Sequence, residues 1–294
     1  SIASKTTTSI LYKNYESLLE LRNSPDYSLD FQLVTSRISD INQMHIGILW
    51  DDYHFKNAAE ALSKLENWCE FISLHLNIKS CTYDMNHDSP TITFYSGRKE
   101  YQPPDEAKEL TLDFTSHLSG NLFTTKLQGE KGPLGTKDYH ITFYMIPTQH
   151  GVYAEFHIKK KLSALARHAI RLYLATRARD KLGFSITGYN DDNTPIYVRG
   201  EQALGERNLV RYLLAIEVFL KTQGGVDFDL ETFMKRDEKW YDLTDSHALQ
   251  LREVERHDYL ATKRLEYQNQ ITLQQQILDN GYKDHPQNLV HLKK

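Results

Sequence analysis

Two short stretches of this sequence set an imidazole and a hydroxyl on either side of one apolar residue: His117-Leu118-Ser119 and His140-Ile141-Thr142. Imidazoles titrate near neutrality, so one could serve as base and the other as acid at a phosphate held by the hydroxyls. A second chemistry-bearing feature is cationic. Residues 159–181 carry Lys159, Lys160, Lys161, Arg167, Arg171, Arg177, Arg179 and Lys181 against Asp180 alone, in a chain of formal net charge -4. Such local charge attracts phosphates, carboxylates or an acidic surface. Lys160, Arg167, Arg171 and Arg177 are the candidate ligand-binding residues, with Arg167 and Arg171 on the helix face opposite Leu162, Leu165 and Ala169.

The oxygen-bearing runs point to turns and caps. Asp84-Met85-Asn86-His87-Asp88 starts like a calcium loop, but Ser89 stands where the loop needs Gly and Tyr95 where it needs a bidentate Glu. Asp227 and Asp229 could face a cation, yet Asp229 reads as a helix cap before Leu230. No phosphate loop, dinucleotide glycine fingerprint, nucleophile elbow or zinc spacing occurs. Neither metal nor cofactor is expected.

The two triplets resemble the signature triplets of the two-histidine phosphoesterases. That resemblance implies His117 and His140 as the acid–base pair, with Ser119 and Thr142 on the phosphate. Here the triplets lie 23 residues apart, where that family separates its motifs by a whole lobe, and Ser119-Gly120 reads better as a turn. Phosphoesterase or nucleic-acid processing activity is therefore the alternative reading, behind a binding role.

The elements that must position these residues follow from periodicity. Apolar residues at Ala58, Ala61, Leu62, Leu65, Cys69, Ile72 and Leu76 predict one helix over 56–77. The period then changes to two, and six runs (78–84, 91–95, 110–114, 121–126, 140–146 and 152–158) predict an antiparallel sheet of five or six strands. A helix over 159–181, a β-hairpin over 186–198 around Asn190–Pro195, and an apolar helix over 201–221 closed by Gly224-Gly225 follow. From a cap at Thr244/Asp245, about 35 residues without Pro or Gly predict one long helix of about 50 Å. Its thin apolar strip (Leu251, Val254, Ala261, Leu265) should pack on the protein's own body.

The order helix, antiparallel sheet, then a strand running straight into helix 159–181 resembles a GAF-type sensory domain, a family that includes PAS-like modules, over residues 50–182. The resemblance implies a small-molecule pocket on one sheet face and signalling through flanking helices. The expected fold is thus α+β: an antiparallel sheet flanked by helices, with a helix-rich C-terminal region ending in a long helix. Residues 1–55 read as a helical or irregular lead-in, 56–182 as the sheet domain, and 183–294 as hairpin plus helical region. The leading functional reading is a non-enzymatic regulatory or sensory module. Its partner would be an anionic small molecule, such as a nucleotide, or an acidic protein surface, with nucleic acid a further candidate. Docking of another protein on the long tail helix is the second alternative.

With 294 residues, 40% of them hydrophobic and 25% charged, the chain can bury its own core and is neither disordered nor uniformly basic. Its longest apolar stretches, 46–50 and 212–216, are about five residues, against the roughly 20 that a membrane span needs; no membrane partner is expected. Cys69 and Cys81 read as two small core hydrophobes, not a disulfide, which implies a reducing, cytoplasmic setting. The first residues, with neither Met nor an apolar signal core, read as a trimmed or processed start.

Overall fold

The computed structural model describes residues 1–24, 31–38, 41–85, 89–223, 229–279 and 288–289. The chain opens with helix α1 (Ile2–Arg22), then strands β1 (Phe31–Ile38) and β2 (Ile41–Asp51). Helices α2 (Phe55–Leu62) and α3 (Leu65–Ile72) lead into β3 (Ile78–Asp84), β4 (Thr91–Ser96), β5 (Lys108–Ser119), β6 (Leu122–Lys131), β7 (Lys137–Pro147) and β8 (Gly151–Lys161). Helix α4 (Ala164–Thr176), the hairpin β9 (Ile186–Tyr189) and β10 (Pro195–Tyr197), and helices α5 (Glu201–Lys221), α6 (Leu230–Asp245), α7 (Ala248–Leu251) and α8 (Arg256–Asp279) follow, with β11 (Asn288–Leu289) last.

The fold is α+β. Among the described residues one antiparallel sheet has the order β1-β2-β8-β7-β6-β5-β4-β3-β11. All six predicted strands are present, most of them longer than the alternation indicated. The lead-in expected to be helical or irregular supplies two more: β2 pairs with β8 from Ile41↔Lys161 to Asp51↔Gly151, and β1 pairs outside it.

The inner sheet face carries Ile46, Ile48, Phe94, Leu112, Leu127, Phe143, Ala154 and Phe156, which form the main core with α2, α3, α5, α6 and α8. Helix α5 is central. Leu209, Val210, Leu213, Leu214, Ile216, Val218 and Phe219 are all buried, each worth about 1.5–3 kcal/mol if fully withdrawn from water. On the outer face, α1 covers one end of the sheet by packing Leu11 and Leu18 against Leu49, Leu122, Ile146 and Tyr153.

Two expected helices are broken, for one reason. The single helix over 56–77 divides at Ser63-Lys64, where the indole Nε1 of Trp68 donates to the Leu62 carbonyl (2.8 Å) and Asn67 Nδ2 to the Ala61 carbonyl (2.8 Å). The single tail helix divides over residues 252–255. There Arg211 Nη2 donates to the Leu251 carbonyl (3.1 Å) and the Tyr241 hydroxyl to the Val254 carbonyl (2.8 Å). A helix can end wherever side chains satisfy its last carbonyls. The predicted caps differ too: Asp229 caps α6 by accepting from Thr232 N, whereas Thr244 and Asp245 lie in the last turn of that helix. The Gly224-Gly225 closure lies outside the described residues.

The tail does pack on the body: Leu251 and Val254 of the expected strip join the main core, while beyond them a different face of α8 is buried. Ala261 and Leu265 are exposed, whereas Tyr259, Lys263, Glu266, Tyr267 and Gln270 are buried. The cysteines also differ from expectation. Cys69 on α3 and Cys81 on β3, both fully buried, form a disulfide with Cα atoms 5.4 Å apart, because α3 packs directly over β3. Disulfides belong to oxidising compartments, so the cytoplasmic expectation loses the ground on which it stood. Among the described residues no helix is long and apolar enough to cross a membrane.

Candidate functional site

The predicted histidines stand apart. His117, exposed on β5, lies opposite Thr124 of β6, and His140, exposed on β7, lies opposite Gln128 of β6. Thr124 and Gln128 share a face, so the two rings are offset by four residues along the sheet and two strands across it. At about 3.3 Å per residue and about 4.8 Å per strand, the separation is roughly 16 Å. Ser119 closes the β5–β6 hairpin opposite Leu122, and Thr142 pairs with Lys126 and His157. These four residues do not converge on one phosphate.

The predicted cationic helix is also divided. Strand β8 continues to Lys161, so Lys159, Lys160 and Lys161 belong to the sheet. Lys160 lies opposite Asn42, and burial lowers its pKa against the opposing pull of Glu201. Arg167 and Arg171 remain on α4, with Arg177 at its C-cap. Leu165, expected inside, is 61% exposed, and Leu172 is 59% exposed. Lys181 is held by Glu253, which also takes Arg211 Nη2 (3.5 Å) and Lys99 Nζ (3.4 Å). Among the described residues no group of three His, Cys, Asp or Glu side chains could hold a metal ion. Residues 86–88 of the calcium-like run, and Asp227, lie outside that description.

Two constellations appear that the sequence did not single out. One is a polar network on the outer sheet face. His45 of β2 stacks on His157 of β8 with ring centroids 4.9 Å apart, His157 Nε2 lies 2.8 Å from Glu155 Oε1, and Glu155 Oε2 accepts from the Tyr153 hydroxyl (2.7 Å) and from Asn14 Nδ2 of α1 (2.8 Å). Burial alone would raise the Glu155 carboxyl, but the bonds from His157, Tyr153 and Asn14 outweigh it and hold its pKa low. Burial, then the neighbouring His157, lower that of His45. The network pins α1 to the sheet; only the β2–β8 register, absent from any local pattern, brings these rings together.

The other is a cleft of about 990 Å³ where β2 turns into α2, walled on its far side by the end of α5. Its floor comes from Trp50 and Tyr53, and its rim from Asp51, Asp52, Glu60, Lys64, Glu217 and Lys221. The turn is tightly built. Asp52 adopts a left-handed conformation (φ 66°) that Asp tolerates better than most residues, and its N–H donates to the His150 carbonyl at 2.9 Å. A Cβ on the facing Gly151 would collide with the Trp50 carbonyl oxygen. His54 caps α2 by accepting from Asn57 N.

Two donors in this wall are unspent. Trp50 is 2% exposed, and neither its Nε1 nor the buried Tyr53 hydroxyl has a hydrogen-bond partner among the described residues. Burial, reinforced by Glu217, raises the Tyr53 pKa, so the hydroxyl stays protonated as a donor. Buried donors are nearly always satisfied, and leaving one unmade costs about 1–3 kcal/mol. The acids outnumber the lysines on the rim, where Lys221 pairs with Glu217 at 3.1 Å and Asp51 with Arg22 of α1 at 2.6 Å. Lys160, Arg167, Arg171 and Arg177 do not line the cleft.

No family model matches this chain, and no curated protein matches it; the GAF-type resemblance therefore stands on element order alone. Solved structures do match. A truncated norcoclaurine synthase from Thalictrum flavum shares 9% identity over 50% of this chain and 84% of that one, with a TM-score of 0.30. A protein from Arthrobacter aurescens, solved by solution NMR, shares 8% over 63% of this chain and 91% of its own, TM-score 0.32. A second norcoclaurine synthase structure from Thalictrum flavum shares 10% over 50% and 80%, TM-score 0.31. Likeness at this level carries no argument about what the chain does.

Proposed function

We propose that this protein is a non-enzymatic binding module that takes a small polar molecule in the cleft between β2, α2 and the end of α5. The observation that carries the reading is the pair of buried, unpartnered donors, Trp50 Nε1 and the Tyr53 hydroxyl, in the wall of a cleft large enough for a drug-sized ligand. A ligand carbonyl or ether oxygen would satisfy both, while the acidic rim favours a neutral or cationic molecule over an anionic one.

Thermal-shift screening of neutral and cationic metabolites tests this. A ligand at about 100 times its Kd adds about 2.7 kcal/mol of stability. Tyr53→Phe and Trp50→Phe should each weaken a hit by about fivefold or more, since each removes one hydrogen bond worth about 1 kcal/mol. Affinity unchanged in both variants would disprove the assignment.

A second reading keeps the anionic ligand at α4. It is supported by Arg167, whose Nε and Nη2 are buried without a partner among the described residues. Binding of inorganic phosphate or a nucleotide that Arg167→Gln abolishes, with Tyr53→Phe neutral, would favour it over the cleft.

A further inference from the structure

Strands β6, β7 and β8 end side by side on lysines. Lys131 lies directly opposite Lys137, and Lys137 opposite Lys161; Lys159, two residues before Lys161 on β8, pairs with His140 beyond a register shift. Lys131, Lys137 and Lys159 are exposed and form no ion pair with a described residue. Like charges facing each other across a sheet are destabilising, and the exposed acids nearest in the chain, Glu130 and Asp138, number two. None of this was visible in sequence, where these lysines lie up to 30 positions apart.

The same end of the sheet presents aliphatic side chains. The β6–β7 connection places Leu134, 38% exposed, at a left-handed position (φ 56°), and the Leu134 carbonyl accepts from Ser163 Oγ at 2.5 Å, joining that connection to the N-cap of α4. Two residues into α4 stands Leu165, with Leu172 two turns on. The buried pole of α4 is Ala166, so Leu165, His168, Leu172 and Ala175 occupy its solvent pole with Arg171 beside them. An outward aliphatic strip bordered by cations is the pattern of a surface that enters the boundary between lipid headgroups and acyl chains. A single-stranded nucleic acid would instead call for aromatic stacking platforms, which the strip lacks, and a duplex held through its phosphates would leave the exposed leucines without a role.

We propose that the lysine row of β6–β8 and the outward face of α4 together form a docking surface for a bilayer rich in anionic lipid. Leu134, Leu165 and Leu172 enter the interface while Lys131 and Lys137 meet the headgroups. Such attachment is peripheral and needs no spanning segment.

Co-sedimentation of the full chain with extruded vesicles tests this. Phosphatidylcholine vesicles containing about 30% phosphatidylserine should carry the protein down in low salt, and pure phosphatidylcholine vesicles should not. Lys131→Gln with Lys137→Gln should weaken partitioning roughly 25-fold, from about 1 kcal/mol per lysine near an anionic surface. Leu134→Ser with Leu165→Ser should weaken it about tenfold through lost apolar burial, with melting temperatures of both variants near that of the parent because all four side chains are exposed. The proposal is overturned if acidic vesicles do not bind, if neither double variant alters partitioning, or if the leucine variant binds vesicles normally. In the last case, capture of polyglutamate or RNA lost only in the lysine variant would assign the row to an acidic protein or a nucleic acid.

Discussion

Lys263 and Glu266, three residues apart on α8, are both buried against the sheet, with Nζ and Oε2 2.8 Å apart. Lys263 Nζ also donates to the carbonyls of Ser73 (2.8 Å), His75 (2.8 Å) and Ile78 (3.0 Å), and Glu266 Oε1 meets Lys79 Nζ at 3.0 Å. One ammonium thus caps the end of α3 and fastens the tail helix to the body. Replacing Lys263 by Met removes a buried donor from three carbonyls, of which that of His75 still accepts from Ile78 N (3.0 Å), and takes one cation from Glu266, and should cost about 3–5 kcal/mol. A urea midpoint that shifts by less than the equivalent of about 1 kcal/mol would show that this ion pair does not hold the tail.

The Cys69–Cys81 disulfide closes a loop of 12 residues. Constraining a loop of that size in the unfolded chain is worth about 3 kcal/mol. Two measurements check it. Thiol titration in denaturant without reductant should find no free thiol, and Cys69→Ser with Cys81→Ser should lower the melting temperature by about the same amount as reduction of the parent. Two titratable thiols in the oxidised, unfolded protein would refute the pairing.

His75 is fully buried, and its Nδ1 accepts from Asn77 N (3.0 Å) while its Nε2 faces Asn208 Oδ1 (2.8 Å). That arrangement suits a neutral ring with its proton on Nε2. Burial, then the facing cations Arg211, Lys263 and Lys79, push its pKa well below the usual 6.5, against the small upward pull of Asn208. The unfolded chain therefore binds a proton near pH 6.5 that the folded protein refuses. This contribution is flat above pH 6.5 and turns against the fold as pH falls below it, at up to about 1.4 kcal/mol per pH unit for one proton. His45 shifts in the same direction. His75→Gln should be less stable at pH 7.5 but should lose less than the parent on going to pH 5. Parallel stability curves for the two proteins between these values would contradict the assignment.

What the sequence determined by itself is local. Alternation located β3 to β8, a nearly all-round apolar helix located α5, turn chemistry located the β9–β10 hairpin, and a carboxylate before an apolar run located the Asp229 cap. Each is a signal that neighbouring residues carry, because side-chain direction repeats along a strand or helix and a cap bonds within its own first turn. The tertiary structure alone decided the rest. Whether 56–77 and the tail were one helix or two depended on Trp68, Asn67, Arg211 and Tyr241 reaching carbonyls that a continuous helix would have used itself. Leu165 faces water because Ala166, and not the larger residue beside it, meets the body. Cys69 with Cys81, His45 with His157, Lys131 with Lys137 and Lys161, and the donors Trp50 and Tyr53 in one cleft all arise from packing and strand register. Lys263 reaches a carbonyl 190 residues away in the chain. No periodicity encodes such a contact, because burial of a charge is decided by what the folded chain brings opposite it.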